Sequence, residues 1–191
     1  MKKSNLPIAI IGLGKTGVSV AKYFQGKNQK FIAYDTRKNF IVNYEIEKYI
    51  RKEDIKLGEI TKDIVYQHDN FIISPGVDLD KKIIKEIRDN DKNIQTDIDI
   101  FNENGKKKVI CITGSNGKTT VTSIVEHILN NLGKKSKAGG NIGLPALELL
   151  NKNYEYYILE LSSFQLEMTK KINSESSIIT NITPDHLDRH K

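Results

Sequence analysis

The sequence predicts an α/β protein. Short apolar runs bounded by glycine and polar residues alternate with helical patterns, and two of those runs lead through a glycine-rich loop straight into a helix. Parallel strands joined by helices read this way along a chain. Taken in order, Ile8-Ala9-Ile10-Ile11 predicts a strand at 8–11, and the pattern behind the first glycine loop predicts a helix at 17–24. Phe31-Ile32-Ala33-Tyr34 predicts a second strand, residues 44–52 a helix, Phe71-Ile72-Ile73-Ser74 a third strand and residues 81–89 another helix. The polar stretch Asn102-Glu103-Asn104-Gly105-Lys106-Lys107-Lys108 predicts a linker, because it carries a glycine and precedes a fresh strand at 109–113. Cutting there gives domains at 1–104 and 105–191. The second domain holds a helix at 119–132, a loop at 139–143, a short helix at 145–150 and strands at 156–161 and 177–181.

Composition narrows the function classes. With 38% hydrophobic and 28% charged residues the chain is of the soluble globular kind, and no apolar run approaches the roughly 18–20 residues that span a bilayer. Met1-Lys2-Lys3 leads directly into a strand pattern rather than a signal-peptide core, so the expected location is the cytoplasm. The one cysteine, Cys111, has no partner for a disulfide or a metal cage and reads as a small core residue. A net charge of +6 could suit nucleic acid, but the lysines are scattered and aromatics make up only 7%, so small polyanions are the expected partners, with no nucleic acid and no membrane.

Gly12-Leu13-Gly14-Lys15-Thr16-Gly17 follows the first strand and opens the first helix, and Asp35 ends the second strand. In that context the glycines allow a tight turn and let a phosphate approach backbone amides at a helix N-terminus, while the acid is placed for a ribose hydroxyl. The reading is a Rossmann-like nucleotide-binding unit. A nicotinamide-dependent oxidoreductase domain fits this motif taken alone, and the same glycines also serve helix-against-strand packing.

Gly114-Ser115-Asn116-Gly117-Lys118-Thr119-Thr120 follows the buried-strand pattern at 109–113 and precedes an amphipathic helix. Backbone amides of such a loop cradle the phosphates of ATP, Lys118 neutralises β/γ oxygens and the Thr119 hydroxyl ligates Mg²⁺. The strict pattern puts glycine at position 112, where this chain has Ile112, so the loop is a variant P-loop. A metal in phosphoryl transfer is also held by a carboxylate, and Glu160 at a strand end suits that role or is simply solvated. His186, just past another strand end, is either a metal ligand or a surface or capping residue.

Taken together, residues 12–17, Asp35-Thr36-Arg37, Ser74-Pro75-Gly76, residues 113–120, Gly139-Gly140-Asn141-Ile142-Gly143, residues 160–167 and residues 181–190 resemble the Mur ligase family of peptidoglycan synthesis over essentially the whole chain. The Glu-Leu-Ser-Ser-Phe-Gln-Leu-Glu stretch from Glu160 resembles the members that add D-glutamate. The phosphate loop and the Asp-His-Leu-Asp block are shared with other Mur ligases and with folylpolyglutamate synthetases, which remain alternatives. The resemblance implies an ATP-dependent carboxylate-amine ligase using Mg²⁺, with UDP-N-acetylmuramoyl-L-alanine and D-glutamate as small-molecule substrates. It implies that Thr16, Asp35, Thr36, Arg37 and Gly76 hold the uridine diphosphate, and that Asn141, Ser162 and Gln165 lie along the muramoyl-alanine part. It also implies a first metal at Thr119 and Glu160, a second at His186 with a carbamylated lysine, and catalytic roles for Lys118, Glu160 and His186. In the family that lysine and a third domain lie beyond the Asp-His-Leu-Asp block. A monomeric chain with a P-loop domain incomplete at its C-terminus, an incomplete active site and uncovered apolar faces is therefore the expectation.

Overall fold

The computed structural model describes residues 1, 4–77, 81–105, 107–185 and 187. The chain forms two compact units, Met1–Ile100 and Phe101–Lys191.

The first unit is built on a five-stranded sheet of order β3-β2-β1-β4-β5, parallel throughout. Its centre is β1 (Ile8–Ile11), all four residues buried, paired on one side with β2 (Phe31–Asp35) and on the other with β4 (Asn70–Ile73). Strands apolar on both faces belong inside a parallel sheet, where helices cover each side. One cover is α1 (Lys15–Gly26), which buries Val20, Ala21 and Phe24. The order reverses direction between β1 and β4, and ligands of open α/β sheets bind in the crevice at such a switch point. Both the glycine loop after β1 and the Ser74-Pro75-Gly76 turn after β4 open there, and Ser74 Oγ donates to the Gly12 carbonyl at 3.2 Å.

Several elements depart from the sequence expectation. The helix expected over 44–52 is the single turn α2 (Tyr44–Glu47), started by Asn43 accepting from the Ile46 amide. Two edge strands, β3 (Ile55–Leu57) and β5 (Asn93–Gln95), and the short helix α3 (Lys62–Tyr66) carry too few apolar residues to show a period. Helix α4 (Lys81–Asp89) matches its expected span. Helix α5 (Asp97–Glu103) takes in the first two residues of the expected linker.

The second unit has a four-stranded parallel sheet, β7-β8-β6-β9. Strand β6 (Lys108–Thr113) leads into α6 (Lys118–Asn131), then β7 (Ser136–Gly140), β8 (Tyr156–Glu160), α7 (Ser163–Met168) and β9 (Ser176–Ile179). The short helix expected at 145–150 is a 3₁₀ helix, Ala146–Asn151. The loop expected at 139–143 begins inside β7, whose small residues Ser136-Lys137-Ala138-Gly139-Gly140 carry little strand propensity, yet the strand pairs along the whole of β8. Among the described residues no helix is long and apolar enough to cross a membrane.

Candidate functional site

In the second unit the C-terminal ends of β6, β8 and β9 converge on one loop. Residues 114–117 turn the chain from β6 into α6, and Gly114 is required there. Its φ is +137°, and a Cβ would lie 2.2 Å from Thr180 Oγ1 and 2.9 Å from the Asn181 carbonyl. The loop is tied to the segment after β9 by a set of bonds. The Ser115 amide donates to the Asn181 carbonyl at 3.0 Å and the Asn116 amide to Asn181 Oδ1 at 2.9 Å. Thr180 Oγ1 and Asn181 Nδ2 donate to the Asn116 carbonyl at 2.7 and 2.8 Å, and Ser115 Oγ donates to the Thr183 carbonyl at 2.8 Å. Two of the amides expected to cradle phosphate, those of Ser115 and Asn116, are thus spent on holding the loop's shape. No side chain caps the N-terminus of α6 at Gly117, so the amides of Lys118, Thr119 and Thr120, which lack acceptors within the helix, are the donors left for an anion.

Lys118 folds back over this turn, Nζ donating to the carbonyls of Gly114 at 2.6 Å and Ser115 at 2.9 Å. Both bonds are to neutral oxygens, which a phosphate oxygen would outcompete by charge. Across the sheet, Glu160 ends β8 with 1% of its surface exposed. Its Oε2 accepts from Thr119 Oγ1 at 2.9 Å and its Oε1 from Asn141 Nδ2 at 2.9 Å, while its carbonyl accepts from the Asn141 amide at 2.9 Å. The carboxylate therefore reaches the Thr119 hydroxyl across 41 positions of sequence.

This donor set suits a hard divalent cation. A buried carboxylate held by a hydroxyl and an amide offers a cation oxygen only. Among the described residues there is no group of three or more His, Cys, Asp or Glu able to hold a metal alone, so phosphate oxygens and water would complete the shell. His186 lies outside the described residues.

Ser162 and Gln165 have a structural duty that sequence reading missed. They form a reciprocal capping box on α7, with the Gln165 amide donating to Ser162 Oγ at 3.3 Å and the Ser162 amide to Gln165 Oε1 at 3.0 Å. The S-x-x-Q spacing was the signal available. Asn181 had no such signal, because its role depends on a partner 65 positions away.

In the first unit the amides of α1 open behind Gly14, again without a side-chain cap, and Thr16 lies in that first turn. Gly17 is compelled by close approach, since a Cβ there would lie 1.7 Å from the Gly12 carbonyl oxygen. Asp35 is 2% exposed and accepts from four donors: the Leu13 amide at 2.9 Å, the Arg37 amide at 3.1 Å, and Arg37 Nε and Nη2 at 2.8 Å each. Burial alone would raise its pKa. The Arg37 guanidinium and the Leu13 and Arg37 amides outweigh that and hold it below the usual carboxylate value. Four donors meet the acceptor positions of this one carboxylate, so Asp35 clamps the glycine loop to Arg37. Arg37, its side chain 61% exposed, also lies 4.3 Å over the Phe40 ring, which fixes an open cationic surface beside Thr36. Gly76 is exposed on the β4 side of the same crevice.

With this geometry in view, residues 7–96 match the Mur ligase MurD-like N-terminal domain and residues 112–191 the Mur ligase middle domain. The UDP-N-acetylmuramoylalanine--D-glutamate ligase of Coxiella burnetii (strain RSA 331 / Henzerling II) is 41% identical over 187 residues, covering 95% of this chain and 41% of that relative. The protein of that name from Buchnera aphidicola subsp. Schizaphis graminum (strain Sg) is 42% identical over 184 residues, covering 96% of this chain and 41% of its own length. The solved UDP-N-acetylmuramate:L-alanyl-gamma-D-glutamyl-meso-diaminopimelate ligase from Neisseria meningitides shares the fold, with a TM-score of 0.56 at 16% identity over 97% of this chain and 63% of that one. The chain spans about two fifths of the length of the curated relatives it matches.

Proposed function

The chain belongs to the Mur ligase family, and from that premise we propose that it supplies the nucleotide-sugar and ATP-phosphate sites of a ligase joining D-glutamate to UDP-N-acetylmuramoyl-L-alanine. The observation that carries the reading is the 2.9 Å bond between Thr119, in the first turn of the phosphate-loop helix, and the buried Glu160. Among the described residues only neutral donors meet this buried carboxylate, an arrangement that a cation bound beside the hydroxyl would complete.

The chemistry follows from charge. A carboxylate is a poor electrophile, so its oxygen first attacks the γ-phosphorus of ATP, giving an acyl phosphate and ADP. The amine of D-glutamate then attacks the carbonyl carbon, and phosphate leaves as the amide forms. In the first step Lys118 exchanges its loop carbonyls for β/γ oxygens, and the amides of Lys118, Thr119 and Thr120 take the remaining anionic oxygens. Mg²⁺, held by Thr119 and Glu160, would supply charge neutralisation across the phosphates. His186 is proposed for a second metal. In the first unit, the α1 amides, Thr16, Thr36, Arg37 and Gly76 receive the uridine diphosphate, with Asp35 acting through its clamp on Arg37. Asn141, Ser162 and Gln165 border the muramoyl-alanine stretch. The reading sets this chemistry in the cytoplasm, where ATP is made.

Calorimetric titration tests it. The chain is expected to bind UDP-N-acetylmuramoyl-L-alanine and Mg·ATP, and Lys118→Ala to lose at least about tenfold of the ATP affinity, since each lost charge-assisted bond is worth about 1.5–3 kcal/mol. Tight NADH binding with no response to the UDP compound would overturn the proposal in favour of an oxidoreductase domain.

A further inference from the structure

We infer that Asn141 is the positioning residue for the Glu160 carboxylate, an inference that rests on the proposed reading of Glu160 as a metal ligand. Asn141 was singled out by resemblance only as a contact of the muramoyl-alanine stretch. Its geometry gives it a different duty. Gly140, the last residue of β7, has φ +104°, and a Cβ there would lie 2.5 Å from the Glu160 carbonyl oxygen, so the two strands approach too closely there for a side chain. The turn that follows is closed by the Gly140 amide on the Leu144 carbonyl at 2.8 Å. That turn delivers Asn141 to Glu160 twice, amide to carbonyl and Nδ2 to Oε1, each at 2.9 Å.

With Thr119 on Oε2 and Asn141 on Oε1, each carboxylate oxygen has one neutral donor, and the plane of the group is fixed. A neutral donor is what a metal carboxylate needs: it orients the group without cancelling its charge, as a lysine there would. Thr119 Oγ1 is needed as a metal ligand as well as a donor, whereas Asn141 Nδ2 can only donate, so Asn141 has the orienting of the carboxylate as its one duty there. Asn141 is itself exposed and has an ordinary φ, so removing its side chain disturbs neither core nor backbone.

The test is Mn²⁺ binding, followed by electron paramagnetic resonance on the full chain with a non-hydrolysable ATP analogue. Asn141→Ala is expected to weaken Mn²⁺ about 10–100-fold, the usual loss for a group that orients a metal ligand. Asn141→Leu, which keeps the bulk and removes the donor, should match it. In a Glu160→Gln background the Asn141→Ala loss should shrink to under about twofold, because a residue acting through another has no separate effect. Wild-type Mn²⁺ affinity in both Asn141 variants overturns the inference, including when UDP-N-acetylmuramoyl-L-alanine binding weakens, since Asn141 then serves the substrate alone. Full additivity with Glu160→Gln overturns it too. A wild-type chain that binds no Mn²⁺ with the nucleotide removes the proposed metal site itself, and that failure is seen before any variant is made.

Discussion

His68 is buried in the first unit among aromatic rings, 0% exposed, with Nδ1 2.7 Å from the Pro7 carbonyl and Nε2 2.8 Å from the Tyr34 hydroxyl. The carbonyl can only accept, so Nδ1 carries the proton and Nε2 accepts from Tyr34. Burial, the largest influence, lowers its pKa, and the Pro7 carbonyl opposes that only in part. The unfolded ring therefore binds a proton at a pH where the folded ring does not, and stability from His68 is present above about 6.5 and lost as pH falls below it. Asp97 has the opposite sign, because burial pushes its carboxyl up to about 6, so its proton favours the folded state between the unfolded value and that point. Comparing wild type with His68→Gln cancels the Asp97 contribution. The difference in urea-unfolding free energy between the two is expected to shrink as pH is lowered from 7.5 to 5.5, and a constant difference would contradict the assignment of a neutral, buried ring.

At the scale of single elements, the sheets are set by short apolar strands and the helices by what happens at their ends. Helix α7 spans only Ser163–Met168, too short to be stable by propensity, and the Ser162–Gln165 box satisfies its first amides with Gln165 4% exposed. Ser162→Ala should therefore cost about 1 kcal/mol of stability in thermal or chemical denaturation. If Ser162 also touches the muramoyl-alanine stretch, the same variant will weaken that ligand, while ATP affinity stays at the wild-type value in either case. Helix α6 shows the opposite arrangement: its N-terminus has no cap, and the missing satisfaction is what a bound phosphate would provide. Sequence showed α1, α4 and α6 through their flanking strands and glycines. It did not show β3, β5 or β7, since three to five residues with few apolar side chains acquire strand geometry only from a neighbour.

At the scale of the molecule, the second unit leaves apolar surface uncovered among the described residues. Ile124, Ile128 and Leu132 follow one another at four-residue spacing along and just past α6, and are 51%, 50% and 70% exposed. Strand β9 is the outer strand beside β6, with Ile179 61% exposed and Ile182 beyond it 84% exposed. An unpaired edge next to exposed isoleucines is a site for association. Light scattering should show apparent mass rising with concentration, and Ile128→Lys with Ile179→Lys should suppress the rise without lowering the thermal midpoint. The sequence by itself determined the α/β class and both glycine loops, and singled out Lys118, Thr119 and Glu160 as candidates, because strand-loop-helix order and residue type are local properties. Only the tertiary structure decided that Asn181 spends two loop amides, that Asp35 is closed by Arg37 and Leu13, and that Asn141 grips Glu160. Each of those depends on parallel strands bringing together residues that lie 19 to 65 positions apart or on a turn whose rotamers no pattern encodes.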